Sequence, residues 1–329
     1  MNDSMPQQTD AVSWAQPGQK AACDGIEGGG SVPGTARPAF TLHRNGGSAL
    51  PVLIAVPHAG RAYAPGVIEA MRHGAAAAHR LEDRFVDLVG RAAASDCGAS
   101  LLLAHVPRAI IDLNRDSCDI DHGMFSGDPP MPLPVITGMP RQQPRAARGL
   151  GLFPRRLPGM GELWRQPMTS EEADRRIAGV HVPYHLALNG ELNRLREMHG
   201  HAILIDLHSM PSLPKQGRAP PASHVVGDRF GASCASALSA AAMELLTRSY
   251  GFPAYNRPYA GGYVLDRHGR PRRDIHALQL EIDRARYLDA HGQPSDEGVA
   301  RERRLVGELA MTLAAVLRNA GSIFSEAAE

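Results

Sequence analysis

Several stretches of this chain are almost wholly apolar and then turn polar at once. Pro51-Val52-Leu53-Ile54-Ala55-Val56 stops at Pro57-His58-Ala59-Gly60, and Ala202-Ile203-Leu204-Ile205-Asp206-Leu207 stops at His208-Ser209. A strand with one wet face alternates apolar and polar residues; short continuous runs belong to strands covered on both faces, as in a parallel sheet. Ser100-Leu101-Leu102-Leu103-Ala104 reads the same way, and Ala109-Ile110-Ile111 starts a further strand ending at Asp112-Leu113-Asn114-Arg115. His224 to Gly227 reads as a short strand, Gly261-Gly262-Tyr263-Val264 as a loop-to-strand turn, and His276 to Ile282 as a strand with polar residues alternating on one face.

Helical spacing fills the intervals. Leu81, Phe85, Leu88 and Ala92 predict a helix over 75–94 with that stripe facing the core. Thr169 with Glu172 forms a capping box, and Ile177, Val180, Tyr184, Leu188, Leu192 and Leu195 give one apolar stripe that stops at Gly200. Pro183 is expected to kink that helix. Further helices are expected over 233–249 and 298–319. The alternation argues for an α/β fold with a mostly parallel sheet and helices on both sides, whose ligands bind beyond the carboxyl ends of the strands.

Residues 1–38 are polar and Gly-rich, with Gly28-Gly29-Gly30 and no hydrophobic period, and are read as a disordered extension before a single domain over 39–329. The Pro-, Gly- and Arg-rich segment 126–167 is too long for a simple connection and reads as a lid or mobile segment. Lys plus Arg is 35 against 34 for Asp plus Glu, so no charge excess points to nucleic acid or an acidic membrane. The Arg-rich stretches 141–156 and 267–273 lack interleaved aromatics and read as solvated loops. The 4 cysteines form no CxxC pair, and neither a signal peptide nor a membrane-spanning run is seen; reduced thiols in the cytoplasm are expected. The pattern leaves the oligomeric state open.

Four strands end in chemistry: His58, Asn114-Arg115, Asp206 with His208, and Glu281. Two imidazoles and a carboxylate are a common ligand set for catalytic zinc with one position left for water. The third ligand is sought among Glu82, Asp83 and Asp87, with Asp83 favoured. Glu281, the lone acid of an apolar strand, suits a general base because desolvation raises its pKa. Arg115 offers a fork to a substrate carboxylate, with Asn114 beside it. The reading is a metal-dependent amidohydrolase acting on a small N-acylated, carboxylate-bearing amino acid. Two others compete: a non-catalytic carboxylate-binding protein on the same scaffold, and a serine hydrolase using Ser209, for which no GxSxG elbow is present.

At these residues the chain resembles the N-formylglutamate amidohydrolase family. The resemblance rests on Val56-Pro57-His58-Ala59-Gly60, Asp112-Leu113-Asn114-Arg115, Pro183-Tyr184-His185, Asp206-Leu207-His208-Ser209, Gly261-Gly262-Tyr263 and His276-Ala277-Leu278-Gln279-Leu280-Glu281, in that order, between about Pro51 and Leu288. It implies a three-layer α/β/α, zinc carboxypeptidase-like fold with one zinc per chain, and hydrolysis of N-formyl-L-glutamate to formate and L-glutamate in histidine degradation. Carried over by position, His58, Asp83 and His208 are the zinc ligands, Glu281 the general base and Asn114-Arg115 a carboxylate clamp. Gly262 and Tyr263 are placed at the substrate, and Arg257 at a second carboxylate or the oxyanion. The chain departs from the family pattern at Ala59, at Phe85 and over Val264 to Arg267.

Overall fold

A computed structural model describes residues 25–44, 50–128, 145–215, 217 and 220–326. Its strands are β1 (Ile26–Gly29), β2 (Phe40–His43), β3 (Val52–Val56), β4 (Ser100–Ala104), β5 (Arg156–Leu157), β6 (Gly161–Glu162), β7 (Ala202–Met210), β8 (His224–Gly227), β9 (Ala254–Tyr255) and β10 (Ile275–Asp283). The α-helices are α1 (Val67–Ala70), α2 (Gly74–Leu81), α3 (Val86–Cys97), α4 (Ser170–Arg176), α5 (Val182–His199), α6 (Ser236–Ser249), α7 (Tyr263–His268) and α8 (Asp296–Glu326). Among the described residues, eight strands form one sheet in the order β1-β2-β4-β3-β7-β10-β8-β9. The four central strands β4, β3, β7 and β10 are mutually parallel, and antiparallel pairs with β2 and β8 flank them.

The apolar runs are explained by two cores on opposite faces. In β3, Val52, Ile54 and Val56 pack with Val89 of α3, Ala242 of α6 and Leu309 of α8, while Leu53 and Ala55 pack with Tyr184, Leu188 and Leu192 of α5. Both faces are dry, so the strand has no polar alternation. This is the expected three-layer α/β/α arrangement with a mixed, mostly parallel sheet. On the α5 face, β7 begins Ala202, Leu204 and continues Asp206, His208; β10 begins Ile275, Ala277 and continues Gln279, Glu281. The apolar-to-polar switch at one parity marks where core ends and site begins.

Five expectations are corrected. The helix expected over 75–94 is two helices, α2 and α3, separated at Glu82–Phe85, where Phe85 takes a left-handed backbone (φ 61°). The break changes the register, so Val86, Val89 and Ala93 are buried while Leu88 and Ala92 are only partly so. Ala109–Ile111 is a buried turn, closed by Ile110 N–H donating to the Pro107 carbonyl at 2.9 Å, because a three-residue apolar run satisfies a turn under α4 as well as a strand. Gly261–Val264 opens helix α7 instead of a strand. The segment 126–167 is not without structure: among its described residues, β5 and β6 form a hairpin held by Arg155 and Arg156 on Glu162, while 129–144 lies outside the described residues.

The fifth correction concerns the amino-terminal segment. Residues 1–24 lie outside the described residues, but from Ile26 the chain adds β1 to the sheet edge and buries Val32 and Ala39. Its glycines serve close approach. A Cβ on Gly29 would stand 2.3 Å from the Phe40 ring, and one on Gly30 2.6 Å from the Gly179 carbonyl. Pro183 has no N–H to give that carbonyl four residues back. Ser31 N–H donates to it instead, at 3.0 Å. The kink expected at Pro183 takes the form of a π-helical turn, Ile177–His181, between α4 and α5. Thr169 caps α4 as expected, its Oγ1 accepting from Glu172 N–H at 3.3 Å. No helix among the described residues is long and apolar enough to cross a membrane, and no disulfide joins the described cysteines.

Candidate metal centre

β3 and β7 are neighbours, so the residues at their carboxyl ends meet. The rings of His58 and His208 lie 4.8 Å apart, both buried. The break between α2 and α3 supplies the third group. Asp83 N–H donates to the His58 carbonyl at 2.9 Å, which turns the Asp83 side chain onto the two rings. Asp83 Oδ2 stands 3.1 Å from His208 Nδ1 and 3.7 Å from His58 Nδ1. Metal bonds of about 2.0–2.2 Å at near-tetrahedral angles hold ligand atoms roughly 3.4 Å apart, so this spacing fits a small divalent ion. His58 Nδ1 is buried without a hydrogen-bond partner, as an atom reserved for a ligand would be.

The far nitrogens are fixed by carboxylates. His58 Nε2 donates to Asp112 Oδ1 at 2.8 Å, and His208 Nε2 to Asp206 Oδ2 at 2.8 Å. Each bond puts the proton on Nε2 and turns the Nδ1 lone pair toward the centre, the usual arrangement behind metal-bound histidines. Arg284 donates to Asp83 Oδ1 (3.2 Å), the Glu82 carbonyl (2.7 Å) and Ser209 Oγ (3.1 Å), leaving Asp83 Oδ2 to the centre. Ser209 is thereby engaged as an acceptor of the Arg284 guanidinium.

Electrostatics favour a cation here. Burial opposes charge on His208, but Asp206, the bond to Asp83 and Glu281 outweigh it and hold its pKa well above the ordinary value. Burial likewise works against ionised Asp83, and its contacts with His208 and His58 overcome it, keeping the carboxyl well below its usual range. Glu281 pairs with His208 in the β10–β7 register. Burial lifts its carboxyl to about 7, with His208 pulling it down and Asp83 pushing it up. Gln279 Nε2 donates to Glu281 Oε1 at 2.8 Å and orients it.

Of the remaining sequence candidates, the structure brings some together. Asn114 Oδ1 accepts from Val264 N–H at 2.9 Å, tying Asn114 to the start of α7. Gly262 is required there, since a Cβ would fall 2.4 Å from Asn114 Oδ1. Arg115 is anchored through Nη1 to the Asn114 carbonyl and Nε to the Leu150 carbonyl. Burial lowers its pKa against the pull of Asp112, and Arg108 and Arg145 add repulsion, so three cations converge here. The Tyr263 ring stacks on His181 and its hydroxyl accepts from Arg267. Arg257 is exposed at a cis Arg257–Pro258 bond, and among the described residues no contact joins it to the centre.

Sequence reasoning missed two neighbours. Arg108 donates Nε and Nη2 to Asp112 Oδ2, each at 2.8 Å, and its charge is felt by Glu281. It lies in a buried turn with no period to mark it. Tyr259 is half-buried; burial raises its pKa and the charge of Glu281 adds to the rise. Its place before Gly261-Gly262 was the available signal.

Comparison with known proteins follows the same residues. The family model of N-formylglutamate amidohydrolase matches residues 50–288. The N-formylglutamate deformylase of Pseudomonas aeruginosa is 32% identical over 249 residues, covering 73% of this chain and 83% of that protein. The same-named protein of Pseudomonas putida is 30% identical over 246 residues, covering 73% and 82%. Among solved structures, the N-formylglutamate amidohydrolase of Ralstonia eutropha JMP134 is similar with a TM-score of 0.72 at 30% identity, covering 86% of this chain and 99% of that one. A gene product of Agrobacterium tumefaciens shares the fold, with a TM-score of 0.59 at 15% identity over 84% of this chain and 96% of that one.

Proposed function

The chain belongs to the N-formylglutamate amidohydrolase family, and on that premise we propose that it hydrolyses the formamide of N-formyl-L-glutamate, releasing formate and L-glutamate, with one zinc ion per chain held by His58, Asp83 and His208. The observation that carries the reading is the convergence of those three side chains from three separate elements, each imidazole braced from behind by its own carboxylate. The donor set, two neutral nitrogens and one carboxylate, suits zinc. When bound, the ion supplies Lewis acidity, polarising the scissile carbonyl and acidifying water.

The chain's own groups do the rest. Glu281, with a carboxyl held at about 7, is suited both to take a proton from the attacking water and to return it to the leaving nitrogen. Arg108, whose charge reaches Glu281, is assigned the negative charge developing on the carbonyl oxygen. Arg115, backed by Asn114, receives a substrate carboxylate, and Arg145 adds positive charge beside it. Tyr259 borders Glu281 on the Gly261-Gly262 loop, while Gly262 lets that loop close on Asn114. Arg257 and Tyr263 take no part in the chemical step in this reading. We place the protein in the cytoplasm as a single catalytic domain.

The test couples metal analysis to turnover. Glu281→Gln should retain about one zinc per chain while losing at least a hundredfold in kcat. Full activity after complete chelation, or an active Glu281→Gln enzyme, would sink the proposal.

A further inference from the structure

Behind the clamp lies a stack of three histidines that the chemistry described above does not use. His181 ends the π-helical turn and His185 follows on α5; their rings are 4.4 Å apart. His268, at the end of α7, stacks on His185 with 5.2 Å between ring centroids, and His185 Nδ1 lies 2.9 Å from His268 Nε2. All three are buried. His181 Nε2 donates to the backbone carbonyl of Arg115 at 2.9 Å. The clamp is therefore suspended from two sides. His181 holds the Arg115 backbone, and the start of α7 holds the Asn114 side chain. The stack, with Tyr263 against it, joins those two supports.

The π turn belongs to the same arrangement. Such turns are uncommon and occur often at functional sites. This one ends on the residue that reaches the clamp, and its Gly179 carbonyl is the one bonded by Ser31. Burial drives the His181 pKa down to about 4, so the ring is a neutral donor at working pH and puts no competing positive charge behind Arg115.

We infer that His181 is a positioning residue for substrate binding: through its bond to the Arg115 carbonyl it fixes where the guanidinium meets the substrate carboxylate. The inference rests on the proposed function and extends it to a residue without substrate contact. The test uses the zinc-loaded full chain, with N-formyl-L-glutamate and its two mono-amides as substrates. His181→Ala should raise KM for the diacid about tenfold, the value of one net hydrogen bond, with kcat within about threefold. The KM penalty should vanish for the mono-amide that lacks the clamped carboxylate. His181→Gln, whose amide can donate to the same carbonyl, should recover most of the loss. Should His181→Ala not fold, His181→Asn, too short to reach, is read in its place. A fall in kcat at unchanged KM, an equal penalty on all three substrates, or no effect overturns the inference. Wild-type enzyme that turns over none of the three overturns the proposed function instead.

Discussion

The bond between Asp206 and His208 gives the sharpest test of how the centre is built. Asp206 is fully buried, and its Oδ2 accepts from His208 Nε2 at 2.8 Å. Asp206→Asn keeps the shape and leaves a neutral acceptor for the same N–H. A charge-assisted hydrogen bond contributes about 1.5–3 kcal/mol and a neutral one about 0.5–1.5, so the exchange costs roughly 1–1.5 kcal/mol, near tenfold. Loss of a negative charge behind a divalent ion acts in the same direction. Zinc affinity should therefore fall about 10–100-fold, the range seen when partners behind metal ligands are removed. Competition against a chromophoric chelator at pH 7 measures it, with circular dichroism and the melting temperature of the metal-free form as checks on folding. The counterpart at Asp112 is a poorer probe, because Arg108 and the Asn114 N–H also depend on that carboxylate. An Asp206→Asn variant that folds and binds zinc within threefold of wild type would refute the reasoning, and with it the assignment of His208 Nδ1 as the metal-facing atom.

Two further outcomes are expected. Glu302 is buried and accepts from His224, Arg286 and Arg301. Burial works against its charge, but His224 and Arg286 win and lower its pKa below the ordinary value, so its stabilisation is present above the unfolded carboxyl pKa and lost as pH falls through the folded one. Glu302→Gln should cost roughly 3 kcal/mol in urea unfolding at pH 7, and the gap from wild type should close in acid; a gap independent of pH would contradict this. Gly262→Ala should push the Asn114 amide aside at a cost of about 1–3 kcal/mol. It should raise KM more than it lowers kcat in steady-state assays, and an unchanged KM would show that Asn114 does not shape the binding site.

What the sequence could reveal depended on how far each cause lay along the chain. The central strands were legible because burial of both faces writes itself into consecutive residues, and the polar ends of those strands marked His58, His208 and Glu281. Asp83 was chosen among three acids, but its role depends on a helix break that no period discloses. The break is set by a left-handed Phe85 and a backbone bond to His58. Gly28-Gly29-Gly30 resembled disorder because composition cannot separate glycine that loosens a chain from glycine that admits a Phe40 ring. Arg108 was illegible for a related reason: its partner Asp112 and the Glu281 that feels its charge come together only in the folded chain.

The hydrogen bond from Asp83 N–H to the His58 carbonyl has a wider consequence. It ties the chain at both ends of residues 59–82, so that excursion is a closed loop with two of the three candidate metal-binding groups at its base. Length added within the loop raises closure entropy only slowly, by about 0.6 kcal/mol per doubling. Length can therefore change across α1 and α2 while His58 and Asp83 at the neck of the loop stay in place. The length and composition of the loop are thus decoupled from the spacing of the two candidate metal-binding groups that close it.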